Sequence, residues 1–280
     1  MLSLAGMGDE AILRKLTAGD IPAAMRLSSE AGWNQTEEDW RTLIELSPEG
    51  CFAIEVNGNV ASTATLFCYG RRLAWVGMVL TWAPYRGRGF ARHLLTEVLT
   101  VADKLGIESV KLDATNEGQP LYEKLGFRAE QAVERWERAA GNLTSEEAPR
   151  EIGRSESWLA ADTRAFDADR STLLRRLTQL NLAMMVGDSY LLTRPGRRTR
   201  YLGPCVAWSQ EAARALAERA VAEYGTSDLS WDILVENRSA VSIARELGFT
   251  PKRHLLRMVR GKDLRGDESA IYGIAGFELG

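Results

Sequence analysis

The stretch Arg86-Gly87-Arg88-Gly89-Phe90-Ala91 lies between an apolar run, residues 74–81, and a run with apolar side chains at helical spacing. This order predicts a strand, a glycine-rich turn and a helix. Such a turn leaves backbone N–H groups unpaired at the positive end of the helix dipole, where phosphate binds. Arg86, Arg88 and Arg92 add positive charge. The stretch therefore predicts a phosphate-binding turn, although many units of this kind only redirect the chain.

A second informative stretch, residues 109–127, reads SVKLDATNEGQPLYEKLGF. Its alternating apolar side chains predict a strand, and a polar turn then leads into a short helix. Gly126 ends that helix, because glycine readily adopts the left-handed conformation that follows many helices. Phe127 begins the next strand.

Together the two stretches resemble the GCN5-related N-acetyltransferase (GNAT) superfamily. That family joins an (Arg/Gln)-x-x-Gly-x-(Gly/Ala) loop to a downstream Leu-Tyr-x-x-Leu-Gly-Phe segment. The loop is matched by Arg86, Gly89 and Ala91, and the segment by Leu121, Tyr122, Leu125, Gly126 and Phe127. Two motifs in the right order are far more specific than either alone. The resemblance covers roughly the first half of the chain and implies the α/β GNAT fold, with a mixed sheet.

The composition of the chain argues against several other classes of protein. The chain has 280 residues, 45% of them hydrophobic and 26% charged, as in an ordinary globular protein. A net charge of −3 argues against nucleic-acid binding. The three cysteines are too few and scattered for a disulfide framework or zinc site, so we expect no metal and a cytoplasmic location. The N-terminus does not look like a signal peptide, and no apolar run is long enough to span a membrane.

The length allows two domains, and the second half contains an internal repeat. Aligning Leu247-Gly248-Phe249 with residues 125–127, without a gap, places a second helix at 211–222 and a second strand at 231–236. The loop position there reads Trp208-Ser209-Gln210-Glu211, without glycine or arginine. We therefore expect a tandem GNAT arrangement, similar to a small group of bacterial two-domain acetyltransferases, whose second domain lacks the cofactor loop. The predicted divisions are an N-terminal acetyltransferase domain at 1–140, a linker region at 141–165 crossed by one surface strand, and a GNAT-like domain at 166–280.

Several local signals predict element boundaries. Asp20 is a candidate N-cap, Thr36 opens a capping box with Asp39, and Asn57-Gly58 is typical of a hairpin turn. In the second half we predict a helix at 167–180 and strands at 183–192, 201–207, 231–235 and 254–259.

The resemblance implies acyl transfer from acetyl-CoA to a primary amine by direct transfer. Within Val79, Leu80 and Thr81, a backbone N–H would stabilise the thioester oxygen while the strand pairs with the pantetheine arm. The loop would bind the diphosphate. The predicted loop contacts are Arg86, Gly87, Arg88, Gly89, Phe90, Ala91 and Arg92.

Tyr122 is the predicted general acid, because a phenol stays protonated at neutral pH and can protonate a thiolate. The alternative is a packed aromatic with its hydroxyl at the surface. Where the family usually has asparagine this chain has Thr115, followed by Asn116. One of these two residues could hydrogen-bond the cofactor arm, or it could cap the following helix. The sequence supports cofactor contact and helix capping equally.

The general base and the acceptor are less defined. Asp113 and Glu117 are candidate bases, although solvated turn carboxylates are the better interpretation, and neither His93 nor His254 is expected to be catalytic. Trp33 is the candidate acceptor-binding residue.

We predict that Trp40, at helical spacing with apolar neighbours, is at least as well explained by core packing. The acceptor would be a small-molecule amine or a peptide amine, and the chain a monomer or homodimer. The alternatives are transfer of a longer acyl group, or a CoA-binding regulatory module without turnover.

Overall fold

The computed structural model describes residues 2–3, 11–141, 157–180 and 183–280. In the first half, two helices separate an early strand from a hairpin, as the sequence predicts. The elements are β1 (Leu2–Ser3), β2 (Ala11–Lys15), α1 (Ile21–Glu30), α2 (Glu37–Leu46), β3 (Cys51–Val56), β4 (Asn59–Tyr69), β5 (Leu73–Thr81), α3 (Phe90–Leu105), β6 (Ser109–Ala114), α4 (Gln119–Lys124) and β7 (Arg128–Arg138).

The second half repeats the alternation of strands and helices after two further helices. Its elements are α5 (Ser157–Phe166), α6 (Ser171–Leu180), β8 (Ala183–Val186), β9 (Ser189–Arg194), β10 (Arg200–Val206), α7 (Gln210–Tyr224), β11 (Leu229–Leu234), α8 (Arg238–Glu246), β12 (Thr250–Gly261) and β13 (Ile271–Gly273).

Local chemistry accounts for several boundaries. The Asp39 carboxylate accepts the Thr36 N–H at 2.7 Å, and the Thr36 hydroxyl accepts the Asp39 N–H, so the predicted capping box of α2 is confirmed. Asn57 and Gly58 both have positive φ, of 50° and 78°, which is the geometry of the predicted tight turn between β3 and β4. Gly126, with φ of 87°, ends the turn after α4.

Other local predictions hold only in part or are wrong. Asp20 occupies the predicted N-cap position of α1, but its carboxylate makes no capping hydrogen bond, because it accepts the Thr17 N–H at 2.8 Å and pairs with Arg14. The single strand predicted at 183–192 is the hairpin of β8 and β9, which turns at Gly187. Part of the predicted linker forms helix α5, while the surface strand predicted there falls mainly on residues 142–156, outside the described residues.

The ungapped alignment of the two halves does not place every element of the second half correctly. Helix α7 and strand β11 begin one and two residues earlier than the alignment predicts, at Gln210 and Leu229. The difference arises because α8 is longer than α4, its counterpart before the Leu-Gly-Phe segment.

The strands form one mixed sheet in the order β1-β2-β3-β4-β5-β6-β12-β7-β11-β10-β9-β8, with β13 also paired to β10. The parallel ladder between the described strands β5 and β6 joins residues 73–75 to 109–111 and goes no further. The two strands then diverge, which leaves a gap in the first half. Helix α3 packs on one face of β3, β4 and β5, and α1 and α2 cover the other face.

The last long strands of the two halves are exchanged. Strand β12 lies between β6 and β7, and β7 lies between β12 and β11, with antiparallel pairing throughout. The alignment of the two Leu-Gly-Phe segments makes His254 equivalent to Ala132 and Leu256 equivalent to Glu134. His254 pairs with Glu134, and Leu256 correspondingly pairs with Ala132. An approximate two-fold axis therefore relates β7 to β12, and each half completes the other's sheet.

Two buried ion pairs obey the same symmetry. Arg257 of β12 donates to both carboxylate oxygens of Asp113 on β6, at 2.9 and 3.1 Å. Arg135 of β7 donates to both oxygens of Asp232 on β11, each at 2.7 Å. Both carboxylate side chains are fully buried. Each ion pair joins one half of the chain to the other.

Candidate active site

A bulge in β5 shapes the wall of the central gap. Met78 has a positive φ of 49°, and the pairing of β4 with β5 shifts register at this point. The Thr63 hydroxyl donates to the Met78 carbonyl at 2.8 Å and the Ser62 hydroxyl to the Leu80 carbonyl at 2.6 Å, which holds the bulge. After the bulge, the backbone of β5 from Val79 onward lies along the gap between β5 and β6.

The glycine-rich turn lies at one end of this gap. Gly87 and Gly89 have φ of 77° and 79°, a conformation that strongly favours glycine, and Gly89 immediately precedes α3. The first N–H groups of α3 therefore have no side-chain cap from that position. A Cβ added at Gly87 would meet no atom of the described residues within 4 Å, so these residues leave the approach to the turn open. Arg86 is anchored by donating from Nε to the Thr81 carbonyl at 3.2 Å.

A groove of about 680 Å³ runs from this turn along β5 to α4. All the predicted cofactor contacts line it except two. The lining contacts are Val79, Leu80, Thr81, Arg86, Gly87, Gly89, Phe90, Ala91, Arg92 and Thr115. Of the other two, Arg88 places its guanidinium 5.1 Å from the Tyr85 ring, and Asn116 is exposed.

A smaller cavity of about 90 Å³, termed here the acceptor pocket, adjoins the groove. Trp33, the predicted acceptor-binding residue, lines both spaces, as does Tyr122. One wall of the pocket comes from the second half of the chain. It is formed by Arg253, Leu255, Phe277 and Glu278, of which Arg253 also lines the groove.

Tyr122 sits where the groove and the pocket meet. Its ring packs edge-on against Phe127, and a Cβ at Gly118 would come within 2.9 Å of it, so the ring position is tightly defined. Burial raises the pKa of Tyr122 to about 12, which keeps the phenol protonated at neutral pH. The side chain can therefore serve as a proton donor to a group in either space.

Thr115 has features of both predicted roles. Its hydroxyl accepts the Gly118 N–H at 3.2 Å, which supports the turn into α4, and its side chain also lines the groove and the pocket.

The predicted solvated carboxylate at Asp113 is wrong. Its side chain is fully buried against Arg257, although its backbone is partly exposed where β6 leaves β5. Burial raises the pKa of the Asp113 carboxyl and the neighbouring guanidinium opposes that shift. Glu117 is exposed at the edge of the groove, as the sequence predicts for a turn carboxylate.

The remaining candidates lie away from the pocket. His93 is exposed on α3, and His254 is exposed beside Glu134, whose carboxylate is 2.8 Å from the imidazole Nδ1. Trp40 has no exposed surface and belongs to the core, which confirms the packing interpretation.

Residues 274–280, called here the strap, were missed as site residues by sequence reasoning. The Trp75 indole donates to the Phe277 carbonyl at 3.0 Å, and Gln35 Nε2 donates to the Glu278 carboxylate at 2.8 Å. A Cβ at Gly77 would lie 2.8 Å from Glu278 Cα, so glycine is needed for the strap to lie against β5. The strap contains one aromatic residue and two glycines, a composition that does not mark it as part of a site.

Diverging parallel strands, a bulged strand facing the gap and a glycine-rich turn at a helix N-terminus are together typical of the acyltransferases that use acyl-CoA. The comparisons with known families agree. Residues 21–127 match the acetyltransferase (GNAT) family and residues 159–273 match the acetyltransferase (GNAT) domain. The chain belongs to the GCN5-related N-acetyltransferase superfamily, in a two-domain arrangement, and is an acyltransferase.

Several relatives and solved structures align with this chain over most of their length. An uncharacterized N-acetyltransferase, YitH, from Bacillus subtilis is 28% identical over 253 residues, covering 85% of this chain and 87% of the relative. The crystal structure of a putative acetyltransferase from Pyrococcus horikoshii superposes with a TM-score of 0.86 at 20% identity, covering 100% of this chain and 98% of the other. A tandem GNAT protein from the clavulanic acid biosynthesis pathway gives a TM-score of 0.61 at 13% identity, covering 89% and 98%.

Two absences hold for the described ranges of the chain. Among those residues, no group of three or more His, Cys, Asp or Glu side chains is arranged to hold a metal ion. The helices in the same ranges include none that is both long enough and apolar enough to cross a membrane.

Proposed function

We propose that the chain transfers the acetyl group of acetyl-CoA directly to a primary amine, with Tyr122 as general acid. The observation that carries the proposal is the position of Tyr122, which lines both the groove and the acceptor pocket. A proton donor at that junction is within reach of a leaving group from one side and a nucleophile from the other.

The residues that line the groove offer donors suited to the co-substrate. The glycine-rich turn and the first turn of α3 offer N–H groups to a diphosphate, and Arg86 and Arg92 add positive charge there. The divergent edge of β5 offers backbone groups with which an amide-containing arm can pair. Once bound, acetyl-CoA supplies an acetyl thioester to the junction beside Tyr122.

The residues at the junction assist each step of the acetyl transfer. A backbone N–H within Val79–Thr81 stabilises the negative charge that develops on the carbonyl oxygen while the neutral nitrogen forms its bond to carbon and the carbon–sulfur bond breaks. Tyr122 gives its proton to the departing sulfur. The proton lost by the nitrogen returns through water to the tyrosinate, so the products are the amide and the free thiol.

Replacing Tyr122 by phenylalanine tests the role directly. We expect Tyr122→Phe to lower kcat about 100-fold, because general acid catalysis commonly contributes that much. Thiol release with a panel of polyamines, amino acids, aminoglycosides and peptides measures turnover, and calorimetry measures acetyl-CoA affinity, which should stay unchanged. Full turnover in this variant would remove Tyr122 from the mechanism.

Tyr224→Phe is the matched control. The Tyr224 hydroxyl is buried without a hydrogen-bond partner among the described residues and lies in the second half, away from the groove, so its removal should leave kcat unchanged. Tight acetyl-CoA binding by the unaltered chain without thiol release for any amine would instead favour a regulatory CoA-binding module. Faster release from longer acyl-CoA molecules would favour transfer of a longer acyl group.

A further inference from the structure

The acceptor pocket is lined by four charged residues, three of which have partners of their own. Asp113 and Arg135 each belong to one of the buried ion pairs that join the halves. Glu278 accepts a hydrogen bond from Gln35 and lies 3.4 Å from Arg194. These three side chains are therefore compensated within the protein.

Arg253, the fourth, is different. Across the described part of the chain, no hydrogen bond or ion pair joins its guanidinium to a carboxylate, although Asp232, already paired with Arg135, is near enough to contribute favourable charge. Its neighbour across β7 is Arg135, a like charge, and the side chain is only partly exposed. Burial, and secondarily Arg135, lower the pKa of Arg253, but an arginine in a protein remains protonated. A partly buried cation without a counter-ion is unfavourable, so this position favours an anion.

Aromatic rings hold the guanidinium in place. Its carbon lies 5.6 Å from the centre of the Trp33 ring and 5.8 Å from that of Phe277. Contacts of this kind orient the planar group without using its N–H donors. The donors remain available for bidentate binding of a carboxylate or phosphate, the geometry for which arginine is suited.

The location of Arg253 indicates which molecule supplies that anion. Arg253 lies at the junction, since it lines the acceptor pocket with Tyr122 and also borders the groove, whereas none of the loop residues 86–92 lines the pocket. The part of the co-substrate expected at this junction is the uncharged thioester end of the pantetheine arm. The diphosphate of the co-substrate is expected at the loop, so an anion at Arg253 belongs to the acceptor. Because Tyr122 and Arg253 line the same small pocket, of about 90 Å³, an acceptor with its amine beside Tyr122 and its anion at Arg253 carries the two groups close together.

We propose that the acceptor is a small amine bearing a carboxylate or phosphate group near its nitrogen, and that Arg253, supplied by the second half of the chain, binds that group. This inference rests on the proposed acetyl transfer. It makes Arg253 a specificity-determining residue and gives the second half a role in choosing the substrate.

Matched pairs of acceptors provide the test. Thiol release by the full chain is compared for amino acids and the amines that lack only the carboxylate, such as phenylalanine with phenethylamine, and for 2-aminoethyl phosphate with ethanolamine. We expect the charged member to be preferred at least about tenfold in kcat/KM, the discrimination that a charge-assisted hydrogen bond provides. The carboxylate and phosphate arms show which anion is preferred.

Arg253→Met should raise KM for the charged acceptor about tenfold or more and leave KM for its neutral partner nearly unchanged. Arg253→Lys should recover part of the loss, because it restores the charge without the planar fork. Lys252→Met removes a positive charge from the exposed neighbouring position on β12 and should change neither value. Calorimetric titration of the preferred acceptor into CoA-saturated protein gives a readout independent of turnover, and acetyl-CoA affinity should be the same in all variants.

Two results would overturn the inference. If the neutral amines are used as well as the charged ones and Arg253→Met changes nothing, the acceptor assignment fails while acetyl transfer stands. If none of the amines releases thiol, the proposed acetyl transfer fails and the acceptor assignment fails with it.

Discussion

Tyr122 is only 9% exposed, and that exposed part faces the groove and the acceptor pocket. The family motif locates this residue in the sequence, but its neighbours in the pocket could not be predicted. Arg253 and Glu278 reach it from the second half, through a strand pairing and a strap that no local pattern specifies. A short-range motif identifies the tyrosine, and long-range packing surrounds it.

The raised pKa of Tyr122 predicts a simple pH dependence. A general acid works in its protonated form, so its contribution is lost only as the pH rises towards its pKa of about 12. We expect no fall in kcat attributable to Tyr122 between about pH 7 and pH 10, while deprotonation of the amine raises the rate over the same range. The kcat profile at saturating acceptor checks this. A fall near pH 9 that disappears in Tyr122→Phe would contradict the assigned pKa.

Strand β13 distinguishes the two halves at the level of elements. Strands β10 and β11 pair in parallel through residues 200–202 and 229–231 and then diverge, as β5 and β6 do. Here, however, β13 occupies the gap, pairing with β10 at Cys205 and Val206, and Ile274 donates its N–H to the Asp232 carbonyl. The connection from β10 to α7 is also short and consists of residues 207–209. The equivalent connection in the first half, from β5 to α3, is longer and consists of residues 82–89.

We therefore expect each chain to bind one acetyl-CoA molecule. The backbone edge that would pair with a second pantetheine arm is already used by β13. Isothermal calorimetry measures the stoichiometry, and Gly89→Val should abolish binding because a β-branched residue does not tolerate φ of 79°. Ser209→Ala, which removes the cap of α7 in the second half, should leave one site. Two equivalent sites per chain would show that the second gap is open to the cofactor.

At the scale of the whole molecule, the exchange of β7 and β12 makes the sheet continuous across both halves. The ion pairs of Arg135 with Asp232 and Arg257 with Asp113 lie at equivalent positions about the approximate two-fold axis, with both carboxylates fully buried. In each half, the strand beside the central gap is paired with a strand from the other half: β6 pairs with β12, and β11 pairs with β7. We infer that the two halves stabilise each other and unfold together.

Asp232→Asn tests this coupling. The variant leaves Arg135 charged and buried without its partner, so we expect the free energy of unfolding to fall by about 3 kcal/mol or more. Asp103→Asn is the matched control, because the pair of Asp103 with Arg260 is largely exposed and should contribute under about 1 kcal/mol. Urea denaturation measures the stability, and hydrogen exchange should show loss of protection in both β3 and β9. A loss confined to the second half would mean that the halves unfold independently.

Much of the first half could be predicted because its signals are local: the capping box at Thr36, the turn at Asn57-Gly58 and the glycines at 87, 89 and 126 each require a particular backbone geometry. The hairpin of β8 and β9 was missed because an apolar run conceals a turn, although Gly187 is the signal that marks it. Asp113 was misread because its partner, Arg257, lies 144 positions away.

The sequence by itself determined the superfamily, the glycine-rich turn, the position of the tyrosine and the presence of a second GNAT-like half, since each depends on residue types at short, regular spacing. Only the tertiary structure decided that the halves exchange strands, that β13 fills the second gap, and that Arg253 and the strap build the acceptor pocket. The physical reason is that a strand's local pattern specifies that it will pair but not with which partner. That choice is made by the packing and charge pairing of the whole chain.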